Sequence, residues 1–271
     1  STYSAGIFTN KFLKLNLNNK IEILWIGLIS ISVLLMIINF FFPINYLISL
    51  ILFFLLLINI LINKKLLKIE ISNLFKKNKM IILFYFICLI VLTKQEPLYD
   101  TGLYHLQAIK WLNESSLIPG IANLNDRLGF NVIYYYLACY LIFPFTENLS
   151  HISVSLFVFF LTFLTIINLN FDFIKNNYWI KCFALLGLSF KRYLVSSASP
   201  DLIVFSLETI AILYLIKYLF NDNKSSSRDL FLVFICFNLF LFKLSAIFFS
   251  LCFLVIIFFL FKKKKNENLN I

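Results

Sequence analysis

Apolar residues in this chain run in unbroken blocks about as long as a bilayer is thick. A helix needs roughly 20 apolar residues to cross the hydrocarbon core, and residues 21–42 and 44–63 meet that length, with Pro43 and Asn45 marking the turn between them. A shorter block at 80–95 lies between Lys79 and Lys94. Further blocks at 130–146, 152–171, 202–219, 230–243 and 245–261 predict more spans. Residues 180–190 are apolar but short, and are expected to stay at the outer interface without crossing. The expected fold class is all-α, a polytopic transmembrane helical bundle. It divides into N-terminal transmembrane helices (1–95), an external loop with an interfacial helix (96–129), and a transmembrane bundle (130–271) that continues in a longer chain.

Basic residues orient these blocks. Lys64, Lys65, Lys68, Lys76, Lys77 and Lys79 lie between the second and third spans, and Lys262 to Lys265 follow the last one. Cytoplasmic loops concentrate Lys and Arg, which leaves 96–129 outside and brings Lys11, Lys14 and Lys20 to the same side as the other lysines. The net charge of +11 is thereby explained by topology, and no nucleic-acid partner is expected. Composition agrees: 61% hydrophobic and 14% charged residues, with a mean hydropathy of +0.90, against about 45–50% and 25% in soluble domains. The five cysteines all lie in apolar blocks, without metal-ligand or redox spacing.

The external segment holds the densest chemistry. Pro97 stops the preceding helix, and Asp100 stands where an N-cap would. At 100° per residue, Gln107, Lys110 and Glu114 share one arc, while Tyr104, Leu106, Ile109, Trp111 and Leu112 cover the rest. That is an amphipathic helix suited to the outer membrane interface, with Tyr and Trp at headgroup level. Asp100 is either a helix cap or a carboxylate held at the membrane surface as a general base or divalent-metal ligand. His105 points away from the charged arc, toward headgroups or a protein interior. Arg127 either closes the loop or binds an anion.

Later residues offer the same double readings. Asp201, after Pro200, is a helix start favoured by the dipole or a second site carboxylate and metal ligand. Lys191 and Arg192 meet lipid phosphates or grip a bound phosphate, a task suited to the planar Arg fork. Lys243 lies within about 30 apolar residues, where an ammonium costs roughly 2.5–3.5 kcal/mol. It snorkels to the outer face at a turn between two helices, or it faces a polar cavity and pairs with a phosphate, Asp100 or Asp201.

A span leading into an external acidic loop and then a membrane-parallel helix resembles the start of the GT-C glycosyltransferases, such as protein O-mannosyltransferases and aminoarabinose transferases. Asp100 and Tyr104 match the acidic residue and the following tyrosine of that pattern. The wording Tyr99-Asp-Thr-Gly-Leu-Tyr-His-Leu-Gln-Ala-Ile-Lys-Trp111, with Pro119-Gly, Arg127-Leu-Gly-Phe-Asn131, Ser199-Pro-Asp201 and Lys243-Leu-Ser245, is closer to the LIC_10190-type bacterial membrane proteins. Two features depart from GT-C: Asp100 has no acidic neighbour nearer than Glu96, and two spans precede the usual first one.

The resemblance implies a glycosyltransferase of the bacterial inner membrane. It would move a sugar from a polyprenyl-phosphate donor to an envelope glycan, lipid or protein acceptor. Asp100 and Asp201 would be catalytic, with a divalent metal as the only cofactor. Tyr104, His105, Arg127, Lys191, Arg192 and Lys243 would bind substrate. No Gly-rich turn for a nucleotide sugar is present. The alternatives are an envelope polysaccharide transporter or flippase, which would show related halves, and a non-catalytic envelope assembly protein.

Overall fold

A computed structural model of the chain describes residues 1–62, 87, 98–124, 126–129, 132–144, 149–169, 178–220 and 226–269. Apart from Ile87, the expected span at 80–95, the lysine-rich loop before it, and Glu96, Pro97 and Asn131 lie outside the described residues. Among the described residues the chain is all-α, ten α-helices joined by short 3-10 and π turns. Three helices are long and apolar enough to cross a membrane: Lys20–Asn39, Ser150–Asn168 and Asp201–Leu219. Phe53, Phe54, Phe248, Phe258 and Phe259 are all exposed on helix surfaces. Water would penalise such faces and lipid does not, which fits a multi-pass membrane protein.

The first helix, α1 (Thr2–Phe12), is one that apolar block length did not predict. It lies backbone-to-backbone against α2 (Lys20–Asn39). A Cβ on Gly27 would run into the carbonyl oxygen of Thr2, and one on Gly6 into that of Ile23. Small residues permit this approach, and packing of this kind holds membrane helices together. Asn19 caps α2 by accepting from the Ile21 amide at 3.1 Å.

Hydrogen bonds then fix the bundle's direction. Early residues of α2 meet late residues of two other helices, α6 (Ser150–Asn168) and α8 (Asp201–Phe220). The Trp25 indole donates to Thr165 Oγ1 at 2.9 Å, and the Tyr214 hydroxyl donates to buried Glu22 at 2.7 Å. At the opposite end of α2, the Asn39 amide donates to the Ser115 carbonyl at 3.2 Å and the Leu117 amide to the Asn39 carbonyl at 2.9 Å. α3 (Tyr46–Ile62) returns from that end, where the Ile44 amide is bound to the Leu112 carbonyl at 2.9 Å. The segment 98–124 therefore covers one end of the bundle, and Glu22 and Tyr214 lie toward the other.

Two expectations about crossings need correction. Among the described residues of the block at 130–146, the helix is α5 (Ile133–Tyr140), eight residues and all buried. It is bound to the beginning of α6 through Tyr134, which bonds Ser155 Oγ at 2.8 Å, and to the covering segment through Cys139 and the Ile109 carbonyl. α6 thus begins at the same end at which α5 is held. Conversely, α7 (Tyr178–Phe190) does run between the ends. Lys181 donates to the Ile167 carbonyl near the end of α6, and Gly187 lies against Phe205 in the early part of α8. Its 13 residues reach only about 20 Å at 1.5 Å each, and the following turn completes the path to Asp201. One expected traverse is lost and one gained, so the end at which each later helix begins is unchanged. Next, α9 (Ser226–Phe242) returns to the covered end, and α10 (Ile247–Leu269) leads away, carrying Lys262 to Lys265 in its last part.

Replacing Gly27 or Gly6 with alanine should force α1 off α2. Overpacking costs typically 1–3 kcal/mol, so thermal unfolding in detergent should begin several degrees lower for each variant. An unchanged melting temperature would contradict the direct backbone contact.

Candidate functional site

Two hydroxyls bring the acidic segments together. Thr101 and Ser197 are fully buried, and their oxygens lie 2.5 Å apart. The Ser197 oxygen also accepts from the Leu98 amide at 3.2 Å, and the Thr101 oxygen from the Ala198 amide at 3.3 Å. This clasp stands one residue from Asp100 on one side and four from Asp201 on the other.

Asp100 is not a cap. Its backbone is helical (φ −59°, ψ −24°) and its carboxylate makes no capping bond. A π turn, Thr101–His105, follows it and leads into α4 (Leu106–Glu114), the expected amphipathic helix. π turns close i→i+5 bonds and recur at functional sites; here the Leu106 amide reaches the Thr101 carbonyl. The carboxylate accepts instead from the Tyr104 hydroxyl at 3.3 Å and from Arg127 at 3.4 Å. Arg127 also lies over the Tyr104 ring, 4.9 Å from its centre.

Asp201 opens α8, its amide donating to Ser199 Oγ at 3.2 Å. Its carboxylate accepts from Lys243 Nζ at 2.5 Å. Lys243 is the extended residue (φ −157°, ψ 124°) between α9 and the 3-10 turn Leu244–Ala246 that precedes α10. The turn between two helices and the polar cavity, posed above as alternatives, thus coexist: the ammonium emerges where the apolar run breaks, and meets a carboxylate.

Asp100, Tyr104, His105, Arg127, Asp201 and Lys243 line a single cavity of about 320 Å³. Tyr135, Ser199 and Ser245 join them. Among the described residues its two carboxylates are matched by two cations, so these charges cancel. Both pairs are near half-exposed, Arg127–Asp100 at 52% and 47% and Lys243–Asp201 at 42% and 41%. Exposed pairs are worth about 0–1 kcal/mol, so an incoming charged ligand can exchange with either partner at small cost.

His105 is 5% exposed and bonded through Nδ1 to the Tyr135 hydroxyl. Burial, the largest influence, lowers its pKa to about 4; Asp100 and Asp201 pull it up, Lys243 and Arg127 push it down. The ring is therefore neutral at physiological pH. Burial, then Asp100, raise the Tyr104 pKa, keeping that hydroxyl a donor. Tyr135 was not foreseen as a site residue. The signal was present in the run Tyr134-Tyr135-Tyr136, because buried phenols need partners.

Lys191 and Arg192 do not line this cavity. Lys191 Nζ lies 5.8 Å over the Phe205 ring, and Arg192 is exposed on the 3-10 turn Arg192–Leu194. No cluster of three metal-ligating side chains forms among the described residues. Asp100 and Asp201 each accept from a cation, and His105 Nδ1 is taken by Tyr135.

The chain belongs to the DUF8201 family, a domain of unknown function whose model matches residues 1–271. No curated protein and no solved structure matches it.

Two measurements test this geometry. Thr101→Val and Ser197→Ala should each lower stability by about 1–3 kcal/mol, since each leaves buried polar groups unpaired, and the double variant should cost clearly less than the sum. Simple additivity in detergent unfolding would show that the hydroxyls do not act together. Acid should also destabilise the protein through His105. Its folded pKa of about 4 lies below the unbound 6.5, so the unfolded chain takes up the proton first. This contribution is complete above pH 6.5, declines as pH falls toward 4, and levels off below. Melting scans against pH should show the wild-type curve converging on that of His105→Gln across this window; parallel curves would refute it.

Proposed function

We propose that this chain is the membrane-embedded, site-bearing part of a GT-C-like glycosyltransferase. It transfers a sugar from a polyprenyl-phosphate donor to an envelope glycan, lipid or protein acceptor at the outer face of the bacterial inner membrane. The observation that carries the reading is the convergence of Asp100, Asp201, Arg127 and Lys243 on one cavity at the covered end of an apolar bundle. The positions matched to the GT-C pattern, Asp100 and Tyr104, face the same space. The lysines of α10 leading away from that end support an outward-facing cavity.

In this reading Asp100 is the general base. Its carboxylate takes the proton of an acceptor hydroxyl as that oxygen bonds to the anomeric carbon. The bond from that carbon to the phosphate oxygen breaks, and polyprenyl phosphate leaves with the electron pair. Lys243 and Arg127 receive the growing negative charge, exchanging a carboxylate for a phosphate oxygen. Asp201 is a positioning residue: it holds Lys243 at the cavity wall while the site is empty. Neutral His105 orients Tyr135. Lys191 and Arg192, outside the cavity, meet the headgroups around it.

Asp100→Asn should cut transfer of labelled sugar from a polyprenyl-phosphate donor, in membrane vesicles, by about 10²–10⁴-fold, the usual contribution of a general base. Insertion and melting temperature should barely move, because Asn keeps the size and hydrogen bonding of Asp. Full activity in this variant, or cytoplasmic labelling of a cysteine placed at Leu103, would end the proposal.

A further inference from the structure

A second cavity of about 300 Å³ adjoins the charged one, and the two share Val132 and Tyr135 as a common wall. Among the described residues no charged one lines it; its surface is made by Trp111, Leu112, Leu117, Ile121, Leu128 and Tyr136, with small groups between them. It lies among α4, α5 and the loop residues 116–124 and 126–129, not among the long helices. That loop roofs both spaces. Gly120, with a positive φ of 81°, turns it into the 3-10 turn Ile121–Asn123. This turn packs against the second, Asp126–Gly129, so closely that a Cβ on Gly129 would come within 2.7 Å of the Ala122 Cβ. From the second turn Arg127 reaches the charged cavity, while Leu128 and Gly129, the next two residues, line the apolar one.

We infer that the two cavities form one binding site for a single-chain amphiphile, its phosphate between Arg127 and Lys243 and the first part of its hydrocarbon chain in the pocket under the 116–129 loop. The inference rests on the phosphate-binding reading above and adds where the chain lies. An apolar pocket adjoining one that holds two exchangeable cations is filled best by a molecule that is itself apolar and anionic at adjoining positions. A free sugar phosphate would leave the pocket unfilled, and an uncharged lipid would leave the cations to their carboxylates. With each carbon group taken as about the size of water's share of liquid volume, ~30 Å³, the pocket accepts on the order of ten carbons.

A chain-length series tests this directly. Inorganic phosphate and n-alkyl phosphates from butyl to hexadecyl are titrated against the purified protein in detergent, with ligand-induced melting shifts as the readout and the matching alcohols as controls. Affinity should rise up to roughly fourfold per methylene, from about 0.8 kcal/mol per buried CH₂, and level off near ten carbons. Ala108→Trp, which fills the pocket from α4, should reduce every alkyl phosphate to the affinity of inorganic phosphate. Leu117→Trp fills it from the loop side and decides the matter if the first variant does not fold. A rise without a plateau, or one equal in the filled variants, reflects micelle partitioning and overturns the inference. Phosphate binding without chain-length dependence overturns it while leaving the anion site intact. Failure of every phosphate to bind overturns both.

Discussion

The buried contact between Thr101 and Ser197 joins segments 96 residues apart in the chain, and the position of every charged group at this end follows from it. Each hydroxyl binds a backbone amide of the other's segment, so the clasp fixes the two backbones as well as two side chains. In a nearly dry interior an unmade hydrogen bond is costly, which leaves the pair little freedom to separate. Asp100 and Asp201 are carried by these segments without taking part in the clasp. Their carboxylates stay half open while the backbones beneath them are fixed. Rigid support under accessible charge is what preorganised electrostatics requires.

The four charges form two pairs at the cavity, each carboxylate facing a cation. Two bare carboxylates would repel a phosphate, and two bare cations at a membrane surface would attract any anion. Self-pairing avoids both outcomes. It makes binding an exchange of partners, so that a ligand is selected by offering a better arrangement of charge. His105 adds no charge to this balance, because its burial against Tyr135 keeps the imidazole neutral.

The residues that converge here were legible because each was a charge or helix breaker where apolar residues dominate. Asp100, Asp201 and Lys243 had little other reason to interrupt such a chain. The helical wheel was right about α4, where Lys110 and Glu114 pair at 4.0 Å, but it presumed uniform winding and so could not foresee the π turn at Thr101–His105. Block length misjudged two elements for opposite reasons. Residues 130–146 are apolar enough to span, yet Tyr134 and Tyr135 direct their hydroxyls to partners at the covered end and hold α5 there. Residues 178–190 are few, but Lys181 and Gly187 meet partners toward opposite ends of the bundle and a turn supplies the missing length. Hydropathy also passed over α1, which is held by the shape of Gly6 and Gly27 and not by a long apolar run. Tertiary pairing of this kind leaves only a faint trace in one sequence.

Lys243 has a consequence for how the protein is built. It sits at the tip of the hairpin formed by α9 and α10, so in the proposed orientation this ammonium must travel through the hydrocarbon when the hairpin enters the bilayer. Insertion scales put that cost at roughly 2.5–3.5 kcal/mol. Asp201 precedes the hairpin in the chain, and synthesis delivers the carboxylate before the lysine. A newly made α8 would offer a waiting counter-ion, making the last pair of helices dependent on the one before them for entry as well as for function.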